Sequence, residues 1–243
     1  MLLSKSVGHL PIRFALYNFK SEYFNPIQLI THMFMHGGFG HIFFNMFAVF
    51  MFGRVIENVW GSKRFFILYM LSGIGAALLQ LLITNFQLDA LTSNIDAFQN
   101  APSPDAFWAI LKEYSGMLSS EGRMFAENYF KNPDSPENIA RASGILQQLF
   151  RTLANIPMVG ASGAVFGILA AFAMLFPNVE LMLIFLPIPI KAKYFVPIYA
   201  VLELFFGIAN FSGDNIAHFA HLGGAVVGFI LVKIWKKNQF KMY

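Results

Sequence analysis

The chain has 243 residues, 56% of them hydrophobic and 12% charged, with a formal net charge of +4 and a mean hydropathy of +0.56. A soluble domain carries about 25% charged residues, so this balance excludes an ordinary water-soluble globule and points to an integral membrane protein. With no cysteine, disulfides, thiolate nucleophiles and thiolate metal sites are excluded.

The first 26 residues mix polar and apolar side chains and carry Phe14, Tyr17, Phe19, Tyr23 and Phe24. Aromatic rings favour the headgroup level of a bilayer, so residues 1–26 read as an interfacial segment, without a signal peptide. From Ile27 the chain is apolar to Phe52, interrupted at His36-Gly37-Gly38. This predicts a loop at 31–38 and a first span at about 39–56. A basic turn, Gly61-Ser62-Lys63-Arg64, precedes a second span at 65–86, whose Gly73, Gly75, Ala76 and Ala77 form a small-residue face for helix contact.

Residues 87–156 differ in kind. They contain Pro102, Pro104, Pro133 and Pro136, and their acidic residues outnumber the basic ones. Phe107, Ile110, Leu111, Tyr114 and Met117 recur at helical spacing, predicting a water-exposed, extracytoplasmic insertion of amphipathic helices. A third span follows at about 158–176, ending at Pro177-Asn178. Residues 179–193, punctuated by Pro187 and Pro189, are not read as a helix. A fourth span at about 194–210 contains Glu203, which is costly in lipid and is expected to face protein or water. The last span is 214–235, with a tail at 236–243.

The basic residues flank the apolar runs: Lys63 and Arg64, Lys191 and Lys193, then Lys233, Lys236, Lys237 and Lys241. That is the positive-inside pattern of a multi-pass protein with a cytoplasmic C-terminus, not a nucleic-acid surface. The lipid bilayer is the expected partner and nucleic acid is not. Five spans would leave the N-terminus outside.

Three stretches carry chemistry. In Gly160-Ala161-Ser162-Gly163-Ala164-Val165-Phe166-Gly167, Ser162 stands near the outer end of a span, and Gly163 and Gly167 share one helix face. Alone, such a serine reads as a packing residue bonded to its own helix. In Ala220-His221-Leu222-Gly223-Gly224, His221 stands near the outer start of the last span, ahead of a face made by Gly224 and Gly228. Two glycine faces let helices approach until side chains meet. A serine within reach of a neutral imidazole is an activated nucleophile, with the imidazole as general base. His218 is one turn earlier and could serve on spacing alone; it is read as a supporting polar residue near the aqueous end.

The third stretch includes His41 and Asn45, four residues apart and so on one face of the first span. Both can donate hydrogen bonds to an oxyanion, with the Ser162 backbone N–H as a further donor. Their plainer reading is a polar bridge between helices. His32, His36, His41, His218 and His221 could instead hold a metal, but no H-E-x-x-H occurs and no carboxylate is expected beside them within a span. Neither a metal nor another cofactor is expected.

Together these motifs resemble the rhomboid family of intramembrane serine proteases. The pattern is H-x-x-x-N at His41 and Asn45, G-x-S-G at Gly160 to Gly163, and A-H with spaced glycines at Ala220-His221, Gly224 and Gly228. Glu57-Asn58-Val59-Trp60-Gly61-Ser62 is similar to the family's E-x-x-x-G-S turn. The resemblance covers 27–86 and 157–235. It implies an all-α polytopic rhomboid-like bundle, a serine–histidine dyad with no third acidic member, and an oxyanion hole from His41, Asn45 and Ser162. It also implies that Phe166 stacks on the catalytic histidine, and that the substrates are transmembrane proteins cut near the outer face. The family's first helix is missing from residues 1–26, leaving about five spans. The expected membrane is the bacterial inner membrane. The alternative is a catalytically silent relative that binds membrane clients.

Overall fold

The computed structural model describes residues 13–117, 119–183, 186–209, 214 and 216–239. The first twelve residues of the interfacial segment, most of the outer turn at 211–214 and the last four residues of the tail lie outside the described residues. The described residues form two compact units, one built from 13–16, 25–82 and 158 onward, the other from 17–24 and 83–157.

The first unit opens with a short helix, α1 (Gln28–Thr31), and a 3₁₀ turn at His32–Phe34. After the loop at the paired glycines comes α2 (Phe39–Ala48), continued by one π-helical turn at Val49–Gly53 and then by α3 (Arg54–Asn100). Inside α3, Gly61 has φ 78° and ψ 160°, which breaks the helix where the basic turn was expected. Only glycine enters that region of φ without steric cost. The apolar stretch Phe39–Asn100 thus holds the first two expected spans on either side of Gly61. Its helix does not stop at Phe86 but runs on to Asn100. The drop in hydropathy after 86 marks a change of surroundings, not a helix terminus.

α7 (Ser162–Leu175) begins four residues later than the expected span, and every residue from Gly163 to Ala173 is buried. Within 179–193, two strands, β1 (Glu180–Leu183) and β2 (Leu186–Lys191), pair antiparallel, Glu180 with Lys191 and Leu181 with Ile190. Among the described residues this two-stranded sheet stands within a mostly helical architecture. α8 (Ala192–Ala209) and α9 (His218–Gln239) complete the unit, and the stretches Ala192–Ala209 and His218–Lys236 are long and apolar enough to cross a bilayer. The molecule is a multi-pass integral membrane protein.

In lipid, helices associate through close packing rather than through burial from water. The glycines make this possible. A Cβ on Gly224 would lie 1.8 Å from the Gly163 carbonyl oxygen, and one on Gly228 would lie 2.3 Å from that of Gly167. α7 and α9 therefore touch backbone to backbone. α3 closes on the same helix: a Cβ on Gly163 would lie 2.3 Å from the Ala76 Cβ. Toward the basic end, Ile56, Leu68, Ile168, Phe172 and Val232 form a core, Trp60 and Trp235 meet edge to face at 5.0 Å, and Lys236 donates to the Met174 carbonyl at 2.7 Å. Phe43, Phe50, Val201, Phe205 and Ile208 point outward, as lipid-facing side chains do.

The second unit contains α4 (Pro104–Glu113), α5 (Ser120–Tyr129) and α6 (Pro136–Ala154). Ser103, Ser119 and Ser135 cap them, each hydroxyl accepting from a backbone N–H in the first turn. Their apolar faces meet over Phe98, Phe107, Leu111, Tyr129, Leu146 and Leu149. Within this unit Lys20 pairs with Asp89, and Ser21 donates to Asn155 at 2.6 Å.

The N-terminal segment is not simply interfacial. Phe14, Phe19 and Tyr23 are exposed, but Ala15, Leu16 and Tyr17 are buried. Leu16 and Met158 exchange backbone hydrogen bonds of 2.9 and 2.8 Å, which tethers the strand leading toward α7.

Candidate active site

Ser162 is the first residue of α7. The backbone before it is fixed by the Leu16–Met158 pair and by the Gly160 N–H, which donates to the His32 carbonyl at 2.9 Å. Gly160 has φ 120°, and a Cβ there would lie 2.6 Å from His41 Cε1. Both backbone and space demand glycine at this position. α7 has 14 residues, about 21 Å at 1.5 Å per residue, against about 30 Å of hydrocarbon. Such a helix is shorter than the hydrocarbon core.

His221 sits in the first turn of α9, and its Nε2 lies 2.8 Å from Ser162 Oγ. The glycine faces of α7 and α9 bring the two side chains together. The Phe166 ring stacks on the imidazole with centroids 4.3 Å apart and planes 5° from parallel. On the other side of the ring, His221 Nδ1 lies 2.9 Å from Glu203 Oε2. The same carboxylate oxygen lies 2.6 Å from His218 Nδ1, and His218 Nε2 lies 2.9 Å from Asp214 Oδ2. Glu203, His218 and His221 are all buried. Asp214 lies outside the helix, and its hydrogen bond from His218 holds the carboxyl below the usual aspartate range.

The sequence did not connect Glu203 to this cluster. The expectation that no carboxylate accompanies the histidines within a span is incorrect, and so is the pairing of His221 with serine alone. The signal was the cost of a carboxylate in an apolar helix. Its partners lie fifteen and eighteen residues away, on the next helix, beyond the reach of helical periodicity. The ligating atoms of Glu203, His218 and His221 lie within 4.8 Å of one another, so this donor set could hold a divalent cation.

His41 and Asn45 lie on α2. The Gly37 N–H donates to His41 Nδ1 at 3.3 Å, which leaves the ring proton on Nε2, the atom beside Gly160. Asn45 is buried and its Nδ2 donates to the His41 carbonyl at 2.7 Å, back into its own helix. His36 meets His41 edge to face at 5.2 Å, and buried His32 bonds through Nδ1 to the Gln28 carbonyl at 2.8 Å. The structure thus joins Ser162, His221, Phe166 and His218 in one cluster with Glu203, and sets His41 against Gly160. The hydrogen bond of Asn45 stays within α2.

A family model, the Rhomboid domain, matches residues 23–90 and 138–238. The chain belongs to the rhomboid family. The matched ranges do not include residues 91–137, the larger part of the helical insertion. Among curated proteins it is similar to an uncharacterized mitochondrial rhomboid protein of Schizosaccharomyces pombe, 25% identical over 93% of this chain and 57% of that protein. It is also similar to mitochondrial rhomboid protein 1 of Saccharomyces cerevisiae, 30% identical over 59% of this chain and 42% of that one. A third relative is mitochondrial RHOMBOID-like protein 12 of Arabidopsis thaliana, 27% identical over 93% of this chain and 51% of that one. The chain spans about half the length of these relatives. No solved structure matches it at comparable significance.

Proposed function

We propose that this rhomboid is an intramembrane serine protease in which Ser162 is the nucleophile and His221 the general base. The observation that carries the reading is the 2.8 Å approach of His221 Nε2 to Ser162 Oγ. As Oγ attacks a peptide carbonyl, its proton passes to Nε2 and a tetrahedral oxyanion forms. The N–H groups at the start of α7 have no partner within the helix and carry its positive dipole end, so they suit that charge. His41 Nε2–H and the second amide hydrogen of Asn45 are the further donors. When the C–N bond breaks, His221 returns the proton to the leaving amine. A water, deprotonated by the same imidazole, then attacks the acyl ester and frees Ser162.

The substrates are transmembrane segments. A regular helix hides its carbonyls in its own hydrogen bonds, so a segment that unwinds readily near the outer face is the one Ser162 can reach. The insertion at 87–156 is read as extracytoplasmic and the C-terminus as lying on the opposite side. For the membrane itself, the sequence suggests the bacterial inner membrane, while the names of the relatives favour a mitochondrial one. Fractionation of the source cells decides between them.

The test is cleavage of a labelled single-span substrate in proteoliposomes. Wild type should cleave it, Ser162→Ala and His221→Ala should each lose about a thousandfold or more in kcat, and chelators should have little effect. Cleavage surviving Ser162→Ala would remove the serine mechanism. Binding without cleavage by wild type would support the silent client-binding alternative.

A further inference from the structure

We infer that Glu203 is the positioning residue of this site, a carboxylate that sets the tautomer of His221 and stabilises its protonated form, so that Ser162 and His221 work as part of a triad. The inference deepens the proteolytic reading and rests on it. Glu203 is 5% exposed, whereas Val201, Leu202, Leu204 and Phe205 around it on α8 face outward. A carboxylate turned inward from an apolar helix needs compensation, and it has two donors on one oxygen, His218 Nδ1 at 2.6 Å and His221 Nδ1 at 2.9 Å.

The consequence for His221 is geometric. A neutral imidazole carries one proton. An acceptor on Nδ1 keeps the proton there, leaving the Nε2 lone pair for the Ser162 hydroxyl on the opposite edge of the ring. Phe166, stacked within 5° of parallel, restricts rotation of the ring out of that line. When Nε2 takes the serine proton, the positive charge forms next to Glu203 in a buried setting, where it is screened least.

His218 completes the arrangement. Both of its ring nitrogens face carboxylate oxygens, Glu203 Oε2 and Asp214 Oδ2, and a histidine so placed donates from both. It ties the buried carboxylate to Asp214 at the end of the membrane segment. The hydrogen-bonded chain therefore runs Ser162, His221, Glu203, His218, Asp214.

The experiment has two arms. In the first, Glu203→Gln and Glu203→Asp are compared with wild type in the reconstituted cleavage assay. Glu203→Gln should lower kcat by about a hundredfold or more with KM within about twofold, and the shorter carboxylate of Glu203→Asp should recover part of the rate. A folded Glu203→Gln with kcat within about threefold of wild type would overturn the inference. In the second arm, ¹⁵N-histidine NMR of wild type reads the tautomer without turnover. A protonated Nδ1 and an unprotonated Nε2 on His221 are expected; the reverse would overturn the inference even if Glu203→Gln failed to fold. Absence of cleavage by wild type would instead count against the proteolytic reading, and the NMR result would still stand on its own.

Discussion

Gly160, Ser162 and His221 show how much a single position can hold. At Gly160 a methyl group would meet the His41 ring and would also have to accept φ 120°. Strain of that kind is about 1–3 kcal/mol, enough to displace the Ser162 backbone. Gly160→Ala should fold yet lose at least about tenfold in kcat, measured in the reconstituted assay; full activity would mean the ring and loop can shift at little cost. Phe166→Ala removes the stacking partner of His221. A loss of about 1 kcal/mol, or several-fold in kcat, is expected. Ser162 and His221 stood out in the sequence because each lies in a short glycine-bearing motif, whereas Phe166 was singled out only through the resemblance to the family. The partners of Glu203 were not legible, because the contact depends on how α8 is rotated against α9, which helical periodicity does not give.

At the scale of elements, the glycine faces decide stability. Gly224→Ala would put a Cβ 1.8 Å from a backbone oxygen that cannot swing aside, so the α7–α9 contact must open. Overpacking of this kind costs about 1–3 kcal/mol or more. By contrast, nothing lies within 4 Å of a Cβ on Gly144, in the middle of α6. There, Gly144→Ala should stabilise the insertion helix by about 0.5–1 kcal/mol. Thermal unfolding in detergent should move in opposite directions for the two substitutions; equal shifts would contradict the close-packing account. Small residues four apart made the first case readable from sequence. The strand pair within 180–191 was not readable, since Pro187 and Pro189 argue against regular structure in general and do not reveal a paired edge. The end of α3 was misread for a related reason. Hydropathy reports what surrounds a helix, and α3 stays helical while its surroundings change.

For the whole molecule, the chain separates into a membrane unit and a helical insertion with its own core of Phe107, Leu111, Tyr129 and Leu146. Phe107→Ala should destabilise that core by about 3–5 kcal/mol, read as faster proteolysis within 104–154. Topology is testable because the chain has no cysteine of its own. Glu121 and Lys63 are both exposed, one in the insertion and one in the basic turn. In sealed vesicles an impermeant maleimide should reach Glu121→Cys and Lys63→Cys from opposite sides. Labelling of both from one side would overturn the assigned orientation. The alternation of apolar spans and charged flanks was legible at this scale; the insertion's internal packing was foreshadowed only by helical spacing.

The most direct test of a nucleophilic Ser162 activated by His221 needs no substrate. The solubilised protein is treated with a fluorophosphonate, and the modified residue is identified by mass spectrometry. A single adduct on Ser162 is expected, and it should be lost in His221→Ala. An unmodified Ser162 in wild type, or undiminished labelling in His221→Ala, would contradict the account.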